Sequence, residues 1–289
     1  MLVVFLIILF PMCWNLVLSF QPIRLQDLAQ ISLLDFSRFS LDNYKEALDE
    51  RFWSGLRITL IYSVLGTSLS IMMGLWASVI ARSTFPGRNI FRSLLLFPYV
   101  APLVSSAFIW RFMLDKHMGV VNVAVKSMGG QPMAWLTTRA IQICVFGIDF
   151  QFPIALTSLI IFEGWRYFPF AFLFILARMQ AIPDELYEVA KVDGASPLQR
   201  FHFITLPQIK NTLSILFFLR FIWTFYKFDD IFLLNGGVAG ADVLSIQIYR
   251  WFFARKNVGV AAAIGVLLAM LLIVLAMAFQ RWTVSREDS

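Results

Sequence analysis

Apolar runs of about 20 residues recur along this chain, each long enough to cross about 30 Å of hydrocarbon, with polar segments between them. The first, residues 1–20, lacks the basic leader and small-x-small cleavage site of a signal peptide and is expected to be a retained helix. Residues 21–53, with Asp27, Asp35, Asp42, Glu46, Asp49 and Glu50, read as an external loop. A second span, 54–80, offers Gly55, Gly66, Gly74, Ser63, Ser68 and Ser70 as small surfaces for close helix packing. A third, 90–113, is interrupted by Pro98 and Pro102, which membrane helices tolerate where neighbours re-satisfy the freed backbone groups. Residues 114–138, carrying Gly119, Gly129, Gly130 and Pro132, read as a second external loop. Apolar character from 140 to 181 is too long for one span. Asp149, Gln151 and Pro153 place a break near 150 and a fourth span at 154–179. After a polar segment, 182–210, come a fifth span, 213–234, a glycine-rich loop, 235–240, and a sixth span, 258–279. The expectation is an all-α integral membrane protein of six transmembrane helices, one domain over 1–289.

Composition agrees with lipid as the main solvent. Hydrophobic residues make up 59% of the chain and charged residues 15%, against about a quarter charged in a soluble domain. The net charge of +6 is spread over loops and helix ends, where lipid headgroups and the positive-inside bias account for it without nucleic acid. Arg82, Arg88 and Arg92 flank a Pro86-Gly87 turn, and Arg281 and Arg286 follow the last span; both groups favour a cytoplasmic placement. The long loops also carry Arg24, Arg38, Lys45, Arg51, Lys116, Lys126 and Arg139, so charge alone leaves the orientation open. Cys13 and Cys144 sit beside apolar residues and read as buried thiols, and His117 and His202 are too isolated for a zinc site. No Gly-x4-Gly-Lys-Ser/Thr run occurs. If ATP drives this chain, another polypeptide hydrolyses it.

The polar segment 182–210 carries the strongest local signals. Pro183 suits a first helical turn, and Asp184 and Glu185 favour its positive end. Leu186, Val189 and Ala190 share one small apolar face. Asp193-Gly194 ends this helix, with Gly194 free to take the left-handed conformation. Ser196 is an N-cap, Pro197 a first-turn proline and Gln199 a capping-box partner for a second helix, which Leu206-Pro207 stops or kinks. On these residues alone the segment is a short helix–turn–helix outside the membrane, and an interfacial amphipathic connector fits it as well.

Glu188-Val189-Ala190, then Gly194, then Ile204-x-Leu206-Pro207 resembles the Glu-Ala-Ala motif of binding-protein-dependent ABC importer permeases, with Val189 in place of the first alanine. Leu41-Asp42-Asn43-Tyr44, Phe52 to Leu60, Pro86-Gly87-Arg88, Phe97-Pro98, Trp165 to Phe170, Phe228-Asp229 and Gly236-Gly237 extend the likeness to carbohydrate-importer permeases of the maltose and glycerol-phosphate type. The resemblance implies that 182–210 is a cytoplasmic coupling segment between spans four and five. Glu188 would contact an ATPase subunit, and Gly194 would form the turn that seats the helix. It also implies both termini in the cytoplasm of a bacterial inner membrane. The implied partners are a second homologous permease, two ATPase subunits carrying ATP and Mg, an extracytoplasmic solute-binding protein, lipid, and a sugar or polyol. No cofactor, metal or catalytic residue is expected on this chain itself.

Charged side chains within spans are costly and usually face protein or a water-filled cavity. Glu163 and Arg166, at i and i+3 on the fourth span, can pair structurally or line a polar path. Arg220, Lys227, Asp229 and Asp230 pose the same choice on the fifth, with Lys227 within reach of either aspartate. Trp223 and Tyr226 can face a sugar ring or simply pack, and the resemblance puts the loop from Asn235 near the outer mouth. The alternative function is an ion-gradient-driven secondary transporter, for which Glu163 is the one good coupling carboxylate.

Overall fold

The computed structural model describes residues 5–30, 39–145 and 148–287. Asp35 and Arg38 lie outside the described residues, and the side chains of Cys144 and Arg286 are outside the description too. Two compact units partition the chain: residues 1–61, 226–228 and 236–289 form one, and residues 62–225 and 229–235 the other.

In the first unit a π turn, Phe5–Leu9, leads into α1, Phe10–Ser19. A short helix, α2 (Asp42–Ala47), follows. The early part of α3, Glu50–Arg82, also belongs here. After the glycine-rich loop come α13, Leu244–Tyr249, and the long α14, Val258–Glu287. Leu18, Ile23, Val258 and Ala262 make the apolar contact between α1 and α14, flanked by Trp14, Leu25 and Phe252. The Asn43 side-chain amide donates to the carbonyls of Ser19 at 3.0 Å and Gln21 at 2.8 Å. Tyr44 OH meets Ser19 Oγ at 2.7 Å. The acidic loop thus returns to the end of α1 and satisfies carbonyls that a helix C-terminus leaves open.

The second unit holds the rest of α3, then α4 (Arg88–Leu95), α5 (Phe97–Val100) and α6 (Leu103–Met113). It continues through α7 (Val120–Ser127), the strands β1 (Ile141–Val145) and β2 (Ile148–Phe152), and α8 (Ile154–Gln180). Then come α9 (Asp184–Val192), α10 (Pro197–Arg200), α11 (Leu206–Phe225) and α12 (Asp229–Asn235). Helix α3 lies close against α8 because the contact positions are small. A Cβ on Gly66 would stand 2.9 Å from Glu163 Cγ, and one on Gly74 2.7 Å from Ala171 Cβ. Ser78 Oγ reaches across to the Phe172 carbonyl at 3.0 Å, just past Pro169 within α8.

Among the described residues, α3, α8 and α14 are each long and apolar enough to cross a membrane. The bent pair of Arg88–Val100 with Leu103–Met113 makes a fourth if it is one span. Helix α1 is a shorter apolar helix, and α11 has 20 residues, with Lys210 and Arg220 among them.

Four expectations are refined or corrected. The interruption expected in the run 90–113 falls at Ala101-Pro102, where the chain turns by 92°, because Pro102 has no N–H to donate and holds Ala101 extended, at φ −57° and ψ 140°. Residues 141–145 and 148–152 form an antiparallel strand pair, with Ile141 opposite Phe152 and Val145 opposite Ile148, so the chain is not wholly α-helical. The alternation of Ile141, Ile143 and Val145 with Gln142 is the period-two pattern of a strand. The run 213–234 is interrupted: α11 ends at Phe225 and α12 begins at Asp229. Finally, of the stop or kink expected at Leu206-Pro207, the stop does not occur. A π turn, Phe201–Thr205, carries the chain from α10 straight into α11, which absorbs the missing Pro207 N–H by shifting the hydrogen-bond register.

Candidate functional site

The segment 182–210 folds as its local signals require. Helix α9 ends at Val192 with Asp193 as its C-cap, and Gly194 takes φ +80°. Its N–H donates to the Lys191 carbonyl at 3.1 Å and that of Ala195 to the Ala190 carbonyl at 2.8 Å, the bond pair of a Schellman C-cap. Open space surrounds the position of a Gly194 Cβ, so glycine is needed there for backbone conformation and not for room. The capping box on α10 is complete: Gln199 N–H donates to Ser196 Oγ at 3.3 Å and Ser196 N–H to Gln199 Oε1 at 2.7 Å.

The apolar face of α9 points outward. Leu186 is 44% exposed, Val189 62% and Val192 88%, and Glu188 beside them is exposed. Ala190 is half-buried, as are Ile204 and Leu206, while Pro207 is exposed. What holds the helix is its other face. Tyr187 and Ile204 pack against a core of Ala171, Ile175, Met179, Ile182, Ile209 and Leu216.

The intramembrane charges are arranged differently from the local pairing expected. Arg220 donates to Glu163 Oε1 at 2.5 Å, with side chains 2% and 0% exposed. Thr224 Oγ1 donates to the same oxygen at 3.0 Å, and Tyr62 OH to Glu163 Oε2 at 3.1 Å. The Arg220 guanidinium also lies 4.3 Å from the centre of the Tyr167 ring, whose hydroxyl stands 3.5 Å from Asp230 Oδ1. One carboxylate therefore joins α3, α8 and α11 in an ion-paired, hydrogen-bonded cluster. The Glu163–Arg166 pair is not formed, although the two are i and i+3.

Arg166 is occupied at the helix break instead. Nη1 donates to the Pro98 carbonyl at 2.7 Å and to Ser106 Oγ at 3.1 Å, and Nη2 donates to the Ala101 carbonyl at 2.8 Å. The Pro98 carbonyl is the one whose helical donor would be the absent N–H of Pro102. Arg166 supplies the substitute. Beside the break opens a cleft of about 340 Å³ between α6 and α8, with Ser105, Ser106, Trp110 and Trp165 in its wall.

The other anticipated residues scatter. Trp223 packs edge-on against Phe170 with ring centres 5.2 Å apart. Tyr226 is 50% exposed. Asp230 is buried while Asp229 is exposed. The Lys227 carbonyl accepts from Ser245 Oγ at 2.6 Å, and Asn235 Nδ2 donates to the Leu136 carbonyl at 3.3 Å. The loop after Asn235 is pinned despite its glycines. Arg250 donates to Asp242 Oδ1 at 2.8 Å and to the carbonyls of Gly236 and Gly237 at 3.1 Å. Burial raises the Asp242 carboxyl above its usual range, and Arg250 pulls against that shift. Tyr62, Tyr167, Thr224, Asp242 and Arg250 were not anticipated as contributors. Only Tyr167 gave a signal, as a member of the run Trp165 to Phe170.

Among the described residues no group of three or more His, Cys, Asp or Glu side chains is placed to hold a metal ion. The fold and these sites define a multi-spanning helical membrane protein, and known proteins sharpen that class. A family model described as the inner-membrane component of binding-protein-dependent transport systems matches residues 66–288. The chain is 33% identical over 270 residues to the inner-membrane ABC transporter permease protein YcjO of Escherichia coli K12, covering 92% of this chain and 85% of that one. It is 33% identical over 236 residues to the trehalose/maltose transport system permease protein MalF of Thermococcus litoralis, covering 81% and 75%. In fold it is similar to a bacterial ABC transporter involved in the import of the acidic polysaccharide alginate. That match has a TM-score of 0.80 at 23% identity over 97% of this chain and 91% of the other. The chain therefore belongs to the family of binding-protein-dependent transport system inner-membrane components. It is an ABC transporter permease subunit of the inner membrane, not an enzyme.

Proposed function

We propose that this chain is one of two permease subunits in an ATP-driven importer that receives a sugar or sugar-like solute from an extracytoplasmic binding protein and passes it by alternating access. In this reading all six apolar runs cross the membrane, both termini are cytoplasmic, and α9–α10 docks on an ATPase subunit. One observation carries it: the motif residues Glu188 to Pro207 fold into a capped helix, a glycine turn and a second helix, with Glu188, Val189 and Val192 turned outward. Exposed apolar residues outside the lipid belt are what a partner surface needs. ATP binding would draw the two ATPases together, carry both coupling segments with them and open the paired permeases outward; hydrolysis would reset them.

Sugar is favoured by the relatives, whose names include a trehalose/maltose system and a galactooligosaccharide system. Glu163, Arg166, Trp223, Tyr226, Lys227, Asp229, Asp230 and Asn235 remain the proposed pathway region. Glu163 and Arg166 would act there mainly by fixing the helices, since both side chains are buried and engaged. An ion-coupled transporter fares worse, because its coupling carboxylate would be Glu163, already neutralised by Arg220. Transport by the complete importer in vesicles tests the choice. Uptake from a panel of labelled sugars should need ATP, survive an ionophore and stop in Glu188→Lys. Uptake abolished by the ionophore alone overturns the proposal.

A further inference from the structure

The inward face of α9 is fastened to the ends of two long helices by one chain of side chains. Arg82, the last residue of α3, donates from Nη2 to Asp184 Oδ1 at 3.1 Å. Its guanidinium carbon also lies 4.1 Å from the centre of the Tyr187 ring. The Tyr187 hydroxyl in turn meets Thr205 Oγ1 at 2.9 Å, inside the π turn that opens α11.

These three links are unequal. The Arg82 side chain is 20% exposed and that of Asp184 88%, so the ion pair is screened and contributes little alone. The stacked, largely desolvated guanidinium and the hydroxyl bond to buried Thr205 are the stronger grips. Arg92 strengthens the arrangement by taking over the α3 C-terminus: its Nη2 donates to the Ala81 carbonyl at 2.7 Å. Arg82 is thereby left to face α9. Asp184 and Tyr187, at i and i+3, share the face that meets it, whereas Leu186 and Val189 lie on the exposed face.

Both fastened helices also meet at one hub. Twenty residues before Arg82, about 30 Å at 1.5 Å per residue, Tyr62 donates to Glu163. Fifteen residues after Thr205, about 22 Å along α11, Arg220 pairs with the same carboxylate.

We propose that Arg82, Tyr187 and Thr205 form a rigid joint through which displacement of α9 is delivered to α3 and α11 together, with the Glu163 cluster holding the far ends in register. The proposal rests on α9 being the ATPase-docking helix, and it makes Arg82 and Tyr187 positioning residues that act through α9.

The test uses the complete importer in lipid nanodiscs, with Cys13 and Cys144 replaced by serine. Nitroxide labels are placed at Lys191→Cys on α9 and Trp76→Cys on α3, both exposed positions. Pulsed-EPR distances are read without nucleotide and after trapping with Mg-ATP and vanadate. The distance should stay within its distribution in the otherwise native chain, and should shift or broaden in Arg82→Ala. Arg82→Lys, which keeps the charge but not the planar stacking face, should restore it in part, and Tyr187→Phe should show a smaller loss. A trapping-induced shift in the otherwise native chain overturns the joint, and that reading stands even if Arg82→Ala fails to assemble. An assembled Arg82→Ala complex indistinguishable from native also overturns it. Retention of the ATPase subunits by Glu188→Lys separates the two levels. If that variant still holds and couples them, the docking reading has failed. If it loses them while the Arg82→Ala distances stay native, only the joint has failed.

Discussion

Glu163 and Arg220 stand 57 positions apart in the chain and meet at 2.5 Å, neither side chain reachable by solvent. Removing one member of a buried pair leaves the other charge uncompensated, at a cost of about 3–5 kcal/mol. Arg220→Met should therefore lower the thermal midpoint of the purified chain sharply, and Glu163→Gln less, because the glutamine carbonyl still accepts from Thr224 while its amide nitrogen can donate to the Tyr62 hydroxyl. The double variant should be more stable than Arg220→Met alone. A double-mutant cycle by thermal unfolding in detergent checks this; strictly additive losses would show that the pair is not coupled.

Arg166 is expected to be sensitive for a different reason. It supplies donors to two carbonyls at the Ala101-Pro102 break, and each buried carbonyl left unsatisfied costs about 1–3 kcal/mol. Arg166→Lys should recover only part of the loss in Arg166→Met, since an ammonium lacks the planar fork that reaches both carbonyls. Ser106→Ala, which removes one bond while leaving the carbonyls served, should cost about 1 kcal/mol. Chemical denaturation of the three variants ranks them.

What the sequence disclosed divides by range. Long apolar runs were legible because lipid selects for length and polarity. The capping box at Ser196 and the glycine cap at Gly194 were legible because their partners lie within a few residues. Glu163 has Arg166 as the pairing candidate that the sequence offers, because i and i+3 is the only proximity a single helix reveals. Its actual partner depends on how α8 and α11 face each other, which no local pattern encodes. Arg166 as the cap of a break 65 positions away was hidden for the same reason. The strand pair 141–145 with 148–152 was obscured because its apolar residues run into those of the next helix. Nothing local shows how the glycine-rich loop after Asn235 is held, because the arginine that pins it comes 13 positions beyond Gly237.

Glycine substitutions should separate close packing from backbone conformation. Gly74→Ala places a Cβ 2.7 Å from Ala171 Cβ and 2.8 Å from the Phe172 backbone nitrogen. Such overpacking costs about 1–3 kcal/mol and should appear as a lower unfolding midpoint. Gly194→Ala meets no neighbour but holds φ +80°, a left-handed conformation that costs a residue with a Cβ about 1–2 kcal/mol. Its effect should be confined to α9 and α10, read as faster hydrogen exchange at the substituted position and at Ala195 with little change in global unfolding. Equal midpoint losses in the two variants would contradict this division.

The outward face of α9 gives the sharpest distinction between folding and partner binding. Leu186, Val189 and Val192 are exposed, and exposed substitutions away from caps and charges usually change stability by no more than about 0.5 kcal/mol. Val189→Ser and Leu186→Ser should therefore leave the unfolding midpoint of the isolated chain nearly unchanged. If the face meets an ATPase, the same substitutions remove apolar contact area and should weaken co-purification, about tenfold for each 1.4 kcal/mol lost. Val189→Ala restores the residue usual in the motif and should retain the ATPase at least as well as the parent chain. Loss of midpoint in step with loss of co-purification would instead mean that this face is needed for the fold of the permease itself.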